Sequence, residues 1–507
     1  MVSGERGEPT LLVIRNIEGV LHVNPDLFVD ENFKPGLRKR HRSNMGVCLR
    51  CCLTLSAITL LLIGGTFIYL YLRERHLGCY DPVNGRVCYS DLPEGDRYKW
   101  GGTKTDYNVT IQEHLDESVQ PLDIPGCQPV LFFLFQRHTT RYPDREDIEE
   151  ASIRLKKLAE DIVSREKSRL CKQDLQEFSN WVFPFVPDQD NLVAPQGNLI
   201  VAEQVARLKK RFPSIFSVER PFQSSSISVD FTSRVRSRET GYAFLKQWFT
   251  EGVFNSVIER QIRDNVNDDL LHFHRECAAK LKQKGKLVKT PPAVTSLENS
   301  SYYSSLLETL SSRLGRRVSK DDMKVMYRQC MFEMSIVGRS PWCAVFTTAD
   351  LKLLEFREDL DDYHKDAYGN DMNWKQACGV AANLFESIDE VESPSYASNY
   401  TRTVLHFSHA GALKKVLAYF GIGKGPAVKW DEACEPRGWR SSKFCPFNAN
   451  ILFVLHRCLG TQPKMVTLLN EKLILLPGCS SKFCPLGEFR ASFQREDLKC
   501  ELEEICS

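Results

Sequence analysis

Six consecutive apolar residues, Val130 to Phe135 (VLFFLF), run directly into a polar cluster, Gln136-Arg137-His138-Thr139-Thr140-Arg141-Tyr142-Pro143. A run without polar alternation suits a strand buried on both faces, as in sheets covered by helices on each side. The pattern recurs twice. Ile227, Val229 and Phe231 alternate with polar residues and lead into Thr232-Ser233-Arg234-Val235-Arg236-Ser237-Arg238, and a helix follows with Tyr242, Leu245, Trp248 and Phe249 on one side. Val404 to Phe407 leads into Ser408-His409-Ala410-Gly411, then Leu413, Val416, Leu417 and Phe420 at helical spacing, with Gly421 as a stop. Strand, polar cluster and helix in that order predict an α/β fold. The clusters fall where such sheets bind anions, because the helix N–H groups point there. Between the second and third units, Glu251 to about Asn399 reads mostly helical and suits a cap domain over 251–399.

The rest of the chain bounds what those clusters can meet. With 507 residues, 42% of them hydrophobic, two to four domains are plausible. The 67 basic and 65 acidic residues leave a net charge of +2, and residues 1–50, with eight Lys/Arg and six Asp/Glu, account for all of it. A neutral body has no broad basic face for nucleic acid, so a polyanion would have to meet a local basic pocket.

From Leu53 to Leu72 there is no charged residue, and twenty residues at helical rise match a hydrocarbon core of about 30 Å. The run is longer than a signal-peptide core and lies far from the N-terminus. Lys34, Arg38, Lys39, Arg40, Arg42 and Arg50 precede it, whereas Arg73-Glu74-Arg75 follows. The positive-inside rule then expects a cytosolic tail (1–50), a transmembrane signal-anchor (51–72), a lumenal stem (73–126) and a lumenal or extracellular globular domain (127–507). That is a single-pass type II membrane protein whose one helix meets the lipid bilayer. The three N-glycosylation sequons, at Asn108, Asn299 and Asn399, all lie beyond the anchor. So do fifteen of the 18 cysteines, a density expected of disulfides in an oxidising compartment. Fifteen is odd, so at least one is unpaired or bonds another chain. Cys48, Cys51 and Cys52, at the cytosolic end of the run, suit palmitoylation or simple apolar filling.

Arg137 and Arg141 flank His138 in a pattern able to cradle phosphate, since each guanidinium offers paired donors and keeps its charge. A neutral imidazole held there can attack phosphorus and carry the phosphoryl group covalently. Arg236 and His409 come from the other two strand ends, so all three clusters can meet one anion. Arg234 and Arg238 read as solvated or structural neighbours.

Arg137-His138-Thr139-Thr140-Arg141-Tyr142-Pro143 resembles the RHGxRxP signature of histidine acid phosphatases. Ser340-Pro341-Trp342-Cys343-Ala344-Val345-Phe346, the helical stretch Leu353 to Gly369, Asn448-Ala449-Asn450 through Leu455, and Leu468 to Lys472 narrow the resemblance to the multiple inositol polyphosphate phosphatases, over roughly residues 80–500. The resemblance implies a phosphoglycerate mutase-like α/β core with a helical cap and a phosphohistidine mechanism needing no metal or other cofactor. Inositol phosphates are the implied substrates, with 2,3-bisphosphoglycerate a further one. It implies His138 as the nucleophile, with His409 beside it, and Arg137, Arg141, Arg236 and His409 as the phosphate clamp.

Two positions depart from the family pattern. Its Gly after the signature His is Thr139, a β-branched residue where backbone approaches phosphate. Its His-Ala-Glu, whose Glu protonates the leaving oxygen, is His409-Ala410-Gly411. Loss of a general acid typically costs about 10²–10⁴-fold in rate. A bound water, a neighbouring substrate phosphate or Asp144 would have to take its place. Two readings of the chain follow: a phosphomonoesterase slowed by that loss, or a pseudophosphatase that binds phosphorylated ligands without turning them over.

Overall fold

The structure, a computed structural model, describes residues 88, 98–165, 167–216, 226–255, 259–262, 264–396, 401–433, 437–495 and 499–507. The run Leu53–Leu72, the cysteines at 48, 51, 52, 79 and 434, and the sequon at Asn399 lie outside them. Among the described residues no helix is long and apolar enough to cross a membrane.

One sheet organises the body. Its strands are β1 (Cys127–Arg137), β2 (Ile227–Phe231), β3 (Arg402–Ser408), β4 (Asn450–Cys458), β5 (Lys464–Leu469), β6 (Lys472–Leu473) and β7 (Phe483–Pro485). The order is β2-β3-β1-β4-β5-β6, with β7 also on β5. The three strands that precede the polar clusters are neighbours and parallel, with Phe231 opposite Phe407 and Arg137 opposite Ser408. The remaining pairings run antiparallel.

The unbroken run in β1 has a simple cause. Leu131, Phe133 and Phe135 point into one buried cluster, while Phe132 and Leu134 point into another on the opposite face. The second cluster is closed by helices α1 (Pro195–Arg211) and α2 (Val235–Trp248), through Val201, Val205, Phe244 and Leu245. The first contains Leu413, Val416 and Leu417 of helix α3 (Ala410–Tyr419). It also takes in Leu297, Leu310, Met326, Phe356 and Leu384 from the segment between the second and third units. Between Glu251 and Glu392 the described residues form helices and no strand, and this segment shares its apolar cluster with β1 rather than packing around a separate one.

The stretch expected as a stem belongs partly to the body. Residues 98–126 form short helices with Tyr107 and Ile111 fully buried, and Tyr107 Oη donates to Glu471 at 2.9 Å. Among the described residues, six disulfides join Cys88–Cys171, Cys127–Cys458, Cys277–Cys506, Cys330–Cys343, Cys378–Cys500 and Cys479–Cys484. Cys445 is free and buried.

Candidate active site

Because β2, β3 and β1 are parallel neighbours in register, their C-terminal ends place Thr232, His409 and His138 at one edge of the sheet. The His138 N–H donates to the Ser408 carbonyl at 2.9 Å, which ties the first cluster to the third. The imidazoles of His138 and His409 lie 5.5 Å apart between centroids. Thr232 Oγ1 is 2.8 Å from His409 Nε2, bringing in the second cluster. Asn448 and Ala449 close the ring: Asn448 N–H donates to the His138 carbonyl at 3.2 Å, and the Ala449 carbonyl accepts from Arg137 N–H at 2.8 Å. Asn448 sits at φ 60°, a left-handed conformation that asparagine tolerates better than most residues. Its side chain joins a buried amide network with Gln136 and Gln204.

His138 is held as a nucleophile would be. Its Nδ1 lies 2.9 Å from the Thr139 carbonyl, which can only accept, so Nδ1 carries the hydrogen and Nε2 keeps its lone pair. Burial holds its proton affinity well below the usual histidine range, helped by the charges of Arg137, Arg236 and Arg141 and by His409. It is therefore neutral at working pH. His409 is lowered in the same way, by burial first and then by Arg236.

The arginines form one strongly positive pocket. Burial and the neighbouring guanidiniums push Arg137 down to about 10 and Arg236 down to about 9. Arg137 donates to the Cys445 carbonyl at 2.9 Å and to Thr103, and its guanidinium lies 4.6 Å from the Phe447 ring centre. Arg141 donates to the Tyr142 carbonyl at 2.7 Å and lies 3.6 Å from Asp144. Arg137, Arg141 and Arg236 each leave a buried Nε without a protein partner, as do Thr140 Oγ1 and His409 Nδ1. Buried donors are normally satisfied, so this set is complementary to an oxygen-rich anion. Arg234 and Arg238 are exposed, as the sequence suggested.

Thr139 does not intrude on the pocket. Its hydroxyl donates to the Gly197 carbonyl at 3.0 Å, and its N–H donates to Thr240 Oγ1 at 3.1 Å.

Position 411 is occupied from elsewhere. A Cβ on Gly411 would lie 2.7 Å from His274 Cδ2 and 3.1 Å from His274 Nε2. His272 stands nearby, its ring 4.8 Å from that of His409 and 5.2 Å from that of His274. His272 Nδ1 is 3.3 Å from Asp268, whose carboxylate also accepts from Ser233 N–H at 2.9 Å. The segment reaches the sheet edge because Asn267 N–H donates to the Phe231 carbonyl and Ser408 Oγ donates to the Leu271 carbonyl. The sequence reading passed over both histidines. Their signal is His272-Phe273-His274, two imidazoles two residues apart in a stretch otherwise legible only as helix.

Of the sequons in the described region, Asn299 is exposed beside Lys320. Asn108 is half-buried, with its amide donating to Glu203 at 3.0 Å.

The chain is similar to multiple inositol polyphosphate phosphatase 1 of Gallus gallus, with 26% identity over 431 residues, 80% of this chain and 92% of that protein. The Homo sapiens protein of the same name is 27% identical over 433 residues, covering 80% and 88%. Among solved structures, the multiple inositol polyphosphate phosphatase of Bifidobacterium longum in complex with phosphate superposes with a TM-score of 0.58 at 13% identity, covering 79% of this chain and 98% of that one. The phytase of D. castellii superposes with a TM-score of 0.56 at 17% identity, covering 82% and 91%. Residues 134–470 match the model of the histidine phosphatase superfamily, branch 2, and span β1 to the turn after β5; the chain belongs to that family.

Proposed function

We propose that this protein hydrolyses phosphomonoesters of inositol polyphosphates through a phosphohistidine at His138, with 2,3-bisphosphoglycerate as a further substrate to test. The observation that carries the reading is a neutral, Nε2-reactive His138 among Arg137, Arg141, Arg236 and His409. Nε2 attacks phosphorus while the guanidiniums and His409 stabilise charge on the phosphoryl oxygens, which is the larger part of such catalysis. Water then releases phosphate from His138. A substrate with several phosphates suits a pocket of three arginines, and the named relatives support that class. The test is phosphate release from inositol hexakisphosphate by the full chain and by His138→Ala. Release that disappears in the variant supports the reading, and equal release from both refutes it.

Gly411 favours a second reading, an anion-binding protein without turnover. Gly411→Glu alone cannot separate the two, because its Cβ would meet the His274 ring.

We also place the body on the lumenal or extracellular side of a membrane, anchored through Leu53–Leu72. The charge-free run with its basic flank supports this, as do the six disulfides among the described residues, which need an oxidising compartment. Carbonate-resistant membrane association, lost when 51–72 is deleted, is the expected outcome. A full-length protein released by carbonate would refute the anchor.

A further inference from the structure

An inositol alkoxide is a poor leaving group, so turnover needs a proton donor next to the phosphate cradle. Gly411 cannot be that donor, and three other groups near the cradle are each partly committed elsewhere. Asp144 is paired with Arg141 at 3.6 Å and its side chain is half exposed. His272 Nδ1 is paired with Asp268 at 3.3 Å, which leaves its Nε2, so His272→Ala is compared directly with the His274 variants. Burial pushes the Cys445 thiol up to about 11, and its Sγ is turned to the Ala410 carbonyl at 3.8 Å.

We propose that His274 is the general acid of this site, its imidazole standing where a side chain on residue 411 would otherwise project. The proposal rests on the phosphatase reading above. Three observations carry it. The ring meets the Cβ position of Gly411, beside His409, with which it makes a 6.2 Å ring contact. The ring is half-buried. Its Nδ1 is buried with no protein partner, so the protein does not commit that nitrogen to a structural hydrogen bond.

The groups facing His274 are His272 and Arg275 of its own segment, Lys415 on α3, Asp366 on helix Thr348–Asp366, and His409. Burial first, then the charge of Lys415, with His272 and Arg275 adding to it, push it down to about 3. A polyanionic substrate brings negative charge to the same pocket and so raises the proton affinity of His274. In the step, His138 Nε2 bonds to phosphorus as the P–O ester bond breaks. The leaving oxygen takes the His274 proton and departs as the alcohol. Water then attacks the phosphohistidine, the P–N bond breaks, inorganic phosphate leaves, the proton of the attacking water passes to solvent, and His274 regains its own proton from solvent.

The experiment compares inositol hexakisphosphate with p-nitrophenyl phosphate, whose leaving group needs no proton. The full-length wild type, His274→Ala, His274→Asn, His272→Ala and His274→Ala/Gly411→Glu are assayed from pH 4 to 8. Loss of general acid catalysis should slow His274→Ala and His274→Asn on inositol hexakisphosphate by about 10²–10⁴-fold. Hydrolysis of p-nitrophenyl phosphate should hold, and the fall of the wild-type rate at rising pH should flatten. The double variant, with the ring removed and a carboxyl supplied, should regain turnover. Unchanged inositol hexakisphosphate turnover, equal loss on both substrates, or the leaving-group pattern in His272→Ala instead would overturn the assignment. If the wild type releases no phosphate from either ester, the phosphatase reading itself falls. A His138-dependent rate indifferent to His274 removes only the acid.

Discussion

Thr139 is seated against Gly197: its hydroxyl donates to the Gly197 carbonyl at 3.0 Å, and its Cγ2 would lie 2.8 Å from a Cβ placed on that glycine. The glycine missing after His138 thus has a counterpart on α1, which leaves room for the β-branched side chain. Gly197→Ala should push on both Thr139 and the Thr140 carbonyl. Overpacking of this kind costs about 1–3 kcal/mol. Urea denaturation should show that loss, and turnover should fall because the displaced loop carries His138.

Arg236 stands close enough to His138 to lower its proton affinity, and under the proposed function it also binds the phosphate. Arg236→Met should lower kcat by about 10²–10³-fold, the scale for losing one positioned donor to the transition state. It should also move the acid limb. The Arg236 charge helps hold His138 below its ordinary value, so removing it raises the proton affinity of that imidazole. His138 would then be protonated at higher pH, and a pH–rate profile should lose activity earlier on acidification.

Acid should destabilise the fold through buried neutral imidazoles. Burial pushes His456 on β4 down to about 4, against 6.5 for the unfolded chain. Between those values the unfolded state binds the extra proton, so stability falls as pH drops from 6.5 to about 4. The slope for one such group is about 1.4 kcal/mol per pH unit. His456→Leu should flatten that part of the dependence in denaturant melts across the window, and an unchanged slope would count against it.

Asp366 holds two buried lysines. It lies 2.6 Å from Lys414 Nζ and 2.5 Å from Lys415 Nζ, both on the helix that begins after His409. Asp366→Ala leaves Lys415 with only the Lys365 carbonyl. Breaking a buried pair from one side typically costs about 3–5 kcal/mol. A Tm that does not move would refute this.

Cys445 should be unreactive in the folded protein. It is fully buried, and its thiol is pushed up by burial, so little thiolate forms at neutral pH. Alkylation followed by peptide mapping should label it only after denaturation.

What was legible in the sequence is what local periodicity encodes. The apolar run before Arg137, the alternation before Thr232 and the helical spacing after His409 located β1, β2 and β3 to within a few residues and marked the polar clusters at their ends. The cysteine parity left at least one cysteine unpaired or bonded to another chain, and Cys445 is the free one among the described residues. Tertiary structure alone decided that these ends meet, because strand order is set by long-range pairing that leaves no local trace. It also decided which residues answer the two departures from the family pattern. Gly197 makes room for Thr139, and His274 fills the space beside Gly411. Each pair is distant in the chain and joined only by shared volume. Sequence spacing reports which residues share a face of one element, whereas side chains compete for space only once the elements have packed.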